Sequence, residues 1–417
     1  MAARIFLTGL GVVSSLGQTV ARFWERLCAG ECGLSPLTIV DVSDLPVRIG
    51  GEVKEPDLTV LDEHPLVSAH RMDRASQFAV LSARQALLQA GLPIHNLGDR
   101  TGVLFGAGLS GMLTLQEQTE RLLRKGSRGV SPLTIPLLMP NAACANISLA
   151  FGATGPSHMA SSACSSSAHA LIASAHLLAA GDADVVITGG TEASITRLGI
   201  SSFANIMAMT KRYNDDPARA MRPFDAERDG FIMSEGAGAI ILESEASIRS
   251  RGVRPLAELV GWGATTDAHH LVAPDPSAEG AARAMRLALQ RADVSPGHLV
   301  GRACINAHGT ATRLNDAAET RAVKQVFGCD ARRIPMSSTK SMTGHLIGAA
   351  AAVETVACVQ SLLTGRVPPT INYRTPDPEC DIDCVPNESR SVSCQYAINN
   401  SFGFGGHNAC LVFKAAD

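Results

Sequence analysis

Ser161–Ala180 reads SSACSSSAHALIASAHLLAA, and Ala183–Gly190 behind it reads ADVVITGG. Cys164 stands among small residues that leave its sulfur approachable, just ahead of an Ala/Leu-rich run. Ser165, Ser166 and Ser167 carry hydroxyls suited to capping the free N–H groups of a first helical turn. The run ends at Gly181, the residue type that commonly closes a helix. ADVVITGG then has the unbroken apolar character of a buried strand. This order of cysteine, helix and strand predicts a thiol at a helix N-terminus, where unpaired N–H groups and the helix dipole favour a thiolate. A single cysteine among eleven is ordinarily a buried structural residue, so a functional reading needs partners elsewhere.

A second segment has the same outline. KSMTGHLIGAAAAVETVACVQSLLTG, from Lys340 to Gly365, is again a small-residue turn, an Ala-rich helix and a terminal glycine. It follows a short predicted strand, Met336–Thr339, and sets His345 near the position that Cys164 holds in the first segment. Other units alternate in the same way. Arg4–Thr8 reads as a strand, Met72–Ala90 as a helix closed by Gly91, and Thr101–Phe105 as a strand. Ala237–Leu242, Arg302–Asn306, Ala397–Ser401 and Asn408–Phe413 read as strands, and Thr19–Ala29 and Ala282–Ala292 as helices. Residues 33–68 read as loops with short strands. The pattern predicts an α/β fold made by internal duplication, with halves at residues 1–250 and 251–417 divided in the charged connection 244–254.

Composition narrows the classes. The chain has 417 residues, 46% hydrophobic and 18% charged, with a net charge of −3. That is enough for a large core, and it argues against a nucleic-acid partner. The eleven cysteines form no CxxC pair and no metal-finger spacing, which predicts reduced thiols and a cytoplasmic protein. No apolar run is long enough to span a bilayer without glycine or charge, and the N-terminal run is too short for a signal segment. Gly9-Leu10-Gly11 lacks the third glycine of a dinucleotide fingerprint, since Ser14 falls there; it reads as a tight strand-to-helix turn. Asp225, Asp229 and Glu235 fit no metal-ligand spacing and read as loop salt-bridge formers.

Unusual residues collect at four predicted strand ends: Cys164, His308, His345 with Lys340, and the Phe402–Gly406 run FGFGG. In layered α/β folds such ends converge on one face. A cysteine with two histidines suits covalent acyl chemistry, the thiolate attacking a thioester and the imidazoles donating N–H or moving protons. The backbone N–H groups of Phe404 and Cys164 would serve an oxyanion.

Together these segments resemble the β-ketoacyl-ACP synthases over nearly the whole chain. The carriers are TGLGVVSSLG from Thr8, ACSSSAH around Cys164, RPFDAERDGFIMSEGAGAIILE from Arg222, NAHGTATRLND from Asn306, SSTKSMTGHLIGAAAAVE from Ser337 and NNSFGFGGHN from Asn399. The pattern is similar to the elongating Cys-His-His type, shared by 3-oxoacyl-ACP synthase II and type II polyketide ketosynthases. The resemblance implies a thiolase-like fold of two pseudo-repeated halves in α-β-α-β-α layers, usually a dimer. It also implies decarboxylative condensation of an acyl group on Cys164 with malonyl-ACP, without a redox cofactor or catalytic metal. The implied partner is acyl carrier protein, with a homodimer or a heterodimer with a chain-length-factor-like subunit as the assembly. Fatty acid and polyketide pathways both remain open.

The resemblance also carries residue roles. Lys340 sets the site electrostatics, and Asp316, Glu319 and Glu354 support it. Thr310 and Thr312 line the phosphopantetheine arm with Phe402 close by, Phe404 gates the two half-reactions, and Leu109 sets acyl-pocket depth. Asn306, Glu354, Asn399 and Asn400 match a structural monovalent-cation site of some members. Arg71, Arg74, Arg124, Lys125, Lys211 and Arg212 are candidates for carrier docking. Departures are His407, where threonine is commoner, Ala351 in place of a glycine, and Thr134 in place of an aromatic. A degradative thiolase would need a second catalytic cysteine near the last glycine loop, and Cys410 falls inside the last strand. A starter-type synthase would pair its cysteine with His and Asn. A pocket-shaping partner subunit would lack the nucleophile.

Overall fold

The computed structural model describes residues 4–61 and 67–416; residues 62–66 of the predicted loop region lie outside them. Ten strands form the main sheet: β1 (Ile5–Ser14), β2 (Thr101–Gly106), β3 (Ser157–Ala160), β4 (Val185–Glu192), β5 (Gly236–Ser244), β6 (Ala257–Thr266), β7 (Ala303–Asn306), β8 (Met336–Ser337), β9 (Tyr396–Gly403) and β10 (His407–Ala415). Their spatial order is β8-β7-β9-β10-β6-β1-β5-β4-β2-β3. Counted within each half of the chain, both halves run third, second, fourth, fifth, first. The pairing senses repeat as well. β2 lies parallel to β3 and β4, and β7 lies parallel to β8 and β9. β5 runs antiparallel to β4 and β1, as β10 does to β9 and β6. The halves meet through a short antiparallel contact, Phe6 opposite Glu258 and Leu7 opposite Ala257.

The helices complete the duplication. α1 (Arg74–Gln89) joins β1 to β2, α2 (Met112–Lys125) follows β2, and α3 (Ser166–Ala180) joins β3 to β4. In the second half α4 (Glu279–Arg291) joins β6 to β7, α5 (Arg313–Phe327) joins β7 to β8, and α6 (Ala350–Thr364) joins β8 to β9. One apolar cluster holds α3 and α6 together with strands of both halves. A second packs α1 against the first half, and a third packs α4 and α5 against the second. This is the expected α-β-α-β-α layering. Residues 347–364 are apolar and long enough to cross a membrane, but they are mostly buried as a core helix. A helix apolar on every side belongs inside such a layer.

Several predicted bounds shift, and two of the shifts have a clear physical cause. Asp73 caps α1 by accepting from Ala75 N–H (3.0 Å), so the helix starts at Arg74 rather than Met72. β1 does not end at Thr8; it runs straight through Gly9 and Gly11 to Ser14. The glycines are there for close approach rather than for a turn. A Cβ on Gly9 would lie 2.0 Å from Ala86 O, and one on Gly11 would lie 1.9 Å from Ser82 O, both on the backbone of α1. Helix and strand therefore touch main chain to main chain. Gly11→Val should lower unfolding free energy by about 3 kcal/mol or more, because the obstructing atoms are backbone and cannot rotate away. Chemical denaturation of the two proteins side by side checks this.

Candidate active site

Cys164 lies in the turn between β3 and α3. Ala163 before it takes a left-handed φ of 52°, a conformation uncommon without glycine, and this turns the thiol toward the second half. The three serine hydroxyls do not cap α3 as the sequence suggested. Ser165 Oγ donates to Ser401 O (3.0 Å) and His407 O (2.8 Å). Ser166 Oγ donates to Ala163 O (2.6 Å) and accepts from Ser162 N–H (2.9 Å). Ser167 Oγ accepts from Ala352 N–H of α6 (3.1 Å). The serines thus tie the nucleophile turn to itself, to the gate strands and to the partner helix.

The duplication brings His345 to the same place from the other side. Its Nε2 lies 3.1 Å from Cys164 Sγ. His308, in the turn after β7, stands edge-on to His345 with ring centres 5.5 Å apart. Ligating atoms of Cys164, His308 and His345 all lie within 4.8 Å of one another. All three residues are buried. Phe404, one of the two predicted oxyanion donors, borders the same open space as Cys164.

Two kinds of buried carboxylate hold this arrangement. Glu319 on α5 is a backbone anchor: it accepts from His308 N–H (2.8 Å) and Gly309 N–H (2.7 Å), and Asn400 Nδ2 adds a third bond (3.3 Å). Glu354 on α6 is a counterion, paired with the fully buried Lys340 ammonium. Asp316, one turn before Glu319, works further out. It accepts from Phe224 N–H (2.9 Å) and lies 3.6 Å from Arg228 Nε, which secures the Arg222–Phe231 loop. Asp225 accepts from Arg374 and Thr375 N–H (2.7 and 2.8 Å), and Glu235 pairs with Arg74 (2.5 Å). Asp229 lies 3.8 Å from Arg212.

Burial decides the protonation states. It pushes the Cys164 thiol up to about 12, although Lys340 and the Phe404 N–H pull the other way. The expected helix-terminus preference for a thiolate is thus outweighed in the free site. Burial, then Lys340, then His345 hold His308 well below the ordinary imidazole range; burial and Lys340 do the same for His345. The resting site therefore holds a thiol and two neutral imidazoles, one of them in contact with the sulfur.

A cavity of about 530 Å³ reaches these groups. Cys164, His308, His345, Phe402 and Phe404 line it together with Thr310 and Thr312, whose hydroxyls are 3.0 Å apart. The exposed Met207 and Leu314 line it as well. Leu109 does not line it. Its N–H points instead to Glu192 (3.3 Å), a fully buried residue at the end of β4 that sequence reasoning passed over. Only its position after a predicted strand, in GGTEAS, hinted at a role.

Arg74 falls out of the docking candidates because Glu235 and Val53 O engage it. Arg71, Arg124, Lys125, Lys211 and Arg212 stay exposed. His407 sits beside the site rather than in it, its ring 6.4 Å from that of His169. Of the residues matched to a cation site, Glu354 Oε2, Asn399 Oδ1 and Asn400 Oδ1 are buried without hydrogen-bond partners. Hard oxygens of this kind fit an alkali cation, whereas Asn306 donates to Thr339 Oγ1 (3.3 Å).

Residues 2–247 match the family described as Beta-ketoacyl synthase, N-terminal domain, and residues 256–374 its C-terminal domain. A 3-oxoacyl-[acyl-carrier-protein] synthase 2 of Synechocystis is 44% identical over 412 residues, covering 99% of this chain and 98% of the relative. The solved ishigamide ketosynthase/chain length factor superposes with a TM-score of 0.93 at 32% identity, covering both chains fully. A type II PKS acyl-carrier protein complex with its ketosynthase, bound to a hexaketide, gives 0.91 at 31%, again covering both chains fully.

Two outcomes test the electrostatics. Alkylation of Cys164 by iodoacetamide, followed by peptide mass, should rise about tenfold per pH unit beyond pH 10, since the thiolate fraction follows the raised pKa. An ordinary cysteine would level off near pH 9. Lys340→Met should cost about 3–5 kcal/mol of unfolding free energy by stranding the Glu354 charge, and Lys340→Met/Glu354→Leu together should cost less than Lys340→Met alone.

Proposed function

This chain belongs to the beta-ketoacyl synthase family, and from that footing we propose that it lengthens acyl chains carried on acyl carrier protein, using malonyl-ACP as the extender. The observation that carries the reading is the 3.1 Å contact of His345 Nε2 with Cys164 Sγ at the end of the cavity, with His308 beside it.

In the first half-reaction the Cys164 sulfur attacks the acyl thioester as His345 Nε2 takes its proton. The tetrahedral oxyanion accepts N–H bonds from Cys164 and Phe404. Its collapse releases the carrier thiol, which recovers the proton, and leaves an acyl-Cys164 thioester. In the second, with His345 in the tautomer that carries its proton on Nε2, the thioester oxygen of malonyl-ACP accepts N–H bonds from the two neutral imidazoles. Breaking the carboxylate C–C bond releases CO2 and leaves an enolate held by those bonds. The enolate carbon attacks acyl-Cys164, the oxyanion forms again in the same place, and its collapse gives 3-oxoacyl-ACP and a Cys164 thiolate, which takes up one proton from water to restore the resting thiol. Lys340 beside the imidazoles makes their N–H groups stronger donors to the enolate oxygen. Loss of CO2 supplies the carbanion, so the sequence needs no redox cofactor.

Thr310 and Thr312 suit the polar atoms of a phosphopantetheine arm, and the exposed Lys211 and Arg212 suit an acidic carrier. Eleven free cysteines, most of them buried, fit a reducing cytoplasm. The partner for assembly is a second copy. β3 is a sheet edge, and Leu115, Leu122, Leu123 and Ile135 are exposed on the helices that lead toward it. Such an edge and apolar face are ordinarily covered. A pocket-shaping role alone would not require the intact Cys-His-His contact, and Cys410, buried in β10, is not in the thiolase position.

Intact mass after exposure to acyl-ACPs of increasing length tests this. Cys164 should gain one acyl group, and the gain should disappear when malonyl-ACP is added. Cys164→Ala should gain none. No gain with any chain, alone or with a co-expressed partner subunit, sinks the proposal.

A further inference from the structure

We propose that Glu192 and Ile347 form a clamp that limits how far an acyl chain attached to Cys164 can extend. The inference rests on the ketosynthase reading for the identity of the chain, but not for the clamp itself. Ile347, two residues beyond His345, is β-branched and takes a left-handed φ of 46°. That conformation is a steric outlier for such a residue, and it persists only where the surroundings hold it.

The surroundings are specific. Glu192 accepts from Gly348 N–H (3.1 Å), the next peptide after the strained residue. The same carboxylate accepts from Gly108 N–H (2.9 Å) and Leu109 N–H (3.3 Å) in the turn after β2. It therefore joins a turn of the first half to the His345 turn of the second. The two turns have no room to separate or to close further. A Cβ on Gly108 would lie 2.8 Å from Ile347 Cγ2, and one on Gly348 would lie 2.1 Å from Gly108 N. Burial pushes the Glu192 carboxyl up to about 7 against the pull of these N–H groups. Glu192 is thus a buried acid with no ion pair among the described residues, and its hydrogen bonds reach both turns.

The clamp also shares an apolar cluster with the nucleophile. Ile347 belongs to the same apolar cluster as Cys164, with Ile195 and Ile200. An alkyl chain leaving the sulfur on the side away from the cavity meets these side chains, and Ile347 is the one whose position depends on strain. Releasing Glu192 lets Ile347 relax to a negative φ and swing its side chain. Leu109, on the second turn held by the same carboxylate, would then affect chain length through the clamp rather than as part of the cavity wall.

The test uses n-alkyl methanethiosulfonates from methyl to dodecyl, which place a chain on Cys164 without any carrier protein. Peptide mass identifies Cys164 among the other thiols. The wild-type reaction rate should fall by at least tenfold beyond a limiting chain length. Glu192→Leu, which removes the oxygen that accepts from Gly108, Leu109 and Gly348, should raise that limit. Ile347→Ala should raise it by about two methylene groups, the space left by the lost side-chain carbons. Because the clamp acts through strain, Glu192→Leu should add nothing further in an Ile347→Gly background. Should Glu192→Leu fail to fold, Glu192→Asp withdraws the acceptor oxygens by one methylene and carries the same expectation. An unchanged limit in folded variants, or full additivity in the double variant, overturns the clamp. Acyl-ACP loading of the same proteins reports separately on the ketosynthase reading, and its failure leaves the alkyl result standing.

Discussion

Everything at the site depends on the contact of α3 with α6. Both helices are mainly apolar, rich in alanine, and packed between the two halves in one core cluster. Their small side chains let the helices lie close, and Ser167 Oγ receives the Ala352 N–H directly across the join. Since the halves are topological repeats, the starts of the two helices come to the same end of the molecule. Cys164 before α3 and His345 before α6 meet for that reason. The reacting pair is a product of duplication and close packing, and neither half contains it alone.

Once the site is dry, its polar groups must be satisfied inside the protein, and that requirement shapes the shell. Four buried carboxylates surround the triad, and they divide the work by what they accept. Glu319 and Glu192 take backbone N–H groups and so fix turns, Glu354 takes the Lys340 ammonium and so fixes charge, and Asp316 secures a neighbouring loop. The same dryness keeps the histidines neutral and the thiol protonated. A neutral imidazole can both accept the thiol proton and donate to an enolate oxygen, so burial prepares the two histidines for both half-reactions. Backbone strain collects at the same place, at Ala163 beside the nucleophile and at Ile347 beside His345. Strain of this kind is sustained by surrounding contacts, and here those contacts are the buried hydrogen bonds just described.

Several features were legible from local signals. The Ala/Leu-rich runs closed by Gly181 and Gly365 marked α3 and α6, and the repeat of turn, helix and glycine marked the duplication. Cys164, His308, His345, Lys340 and the FGFGG run were visible as unusual residues at strand ends, and six co-linear segments carried the family resemblance. These signals are short-range or compositional, so the chain itself displays them. The misread elements were those set by distant neighbours. Gly9 and Gly11 looked like a turn because sequence does not show that α1 lies against them. Ser165 and Ser167 looked like helix caps because their true partners, Ser401, His407 and Ala352, lie across the fold. Arg74 looked like a free docking cation because Glu235 is far away in sequence.

The sequence by itself determined the fold class, the cysteine and two histidines that come together, and the family to which the chain belongs. The tertiary structure alone decided that the thiol rests protonated, that Leu109 stands outside the cavity, and that Glu192 links the turn carrying it to the His345 turn. The reason is one of range. Helix periodicity and glycine stops are written within a few residues, whereas desolvation and backbone contacts between turns depend on every element that closes over them.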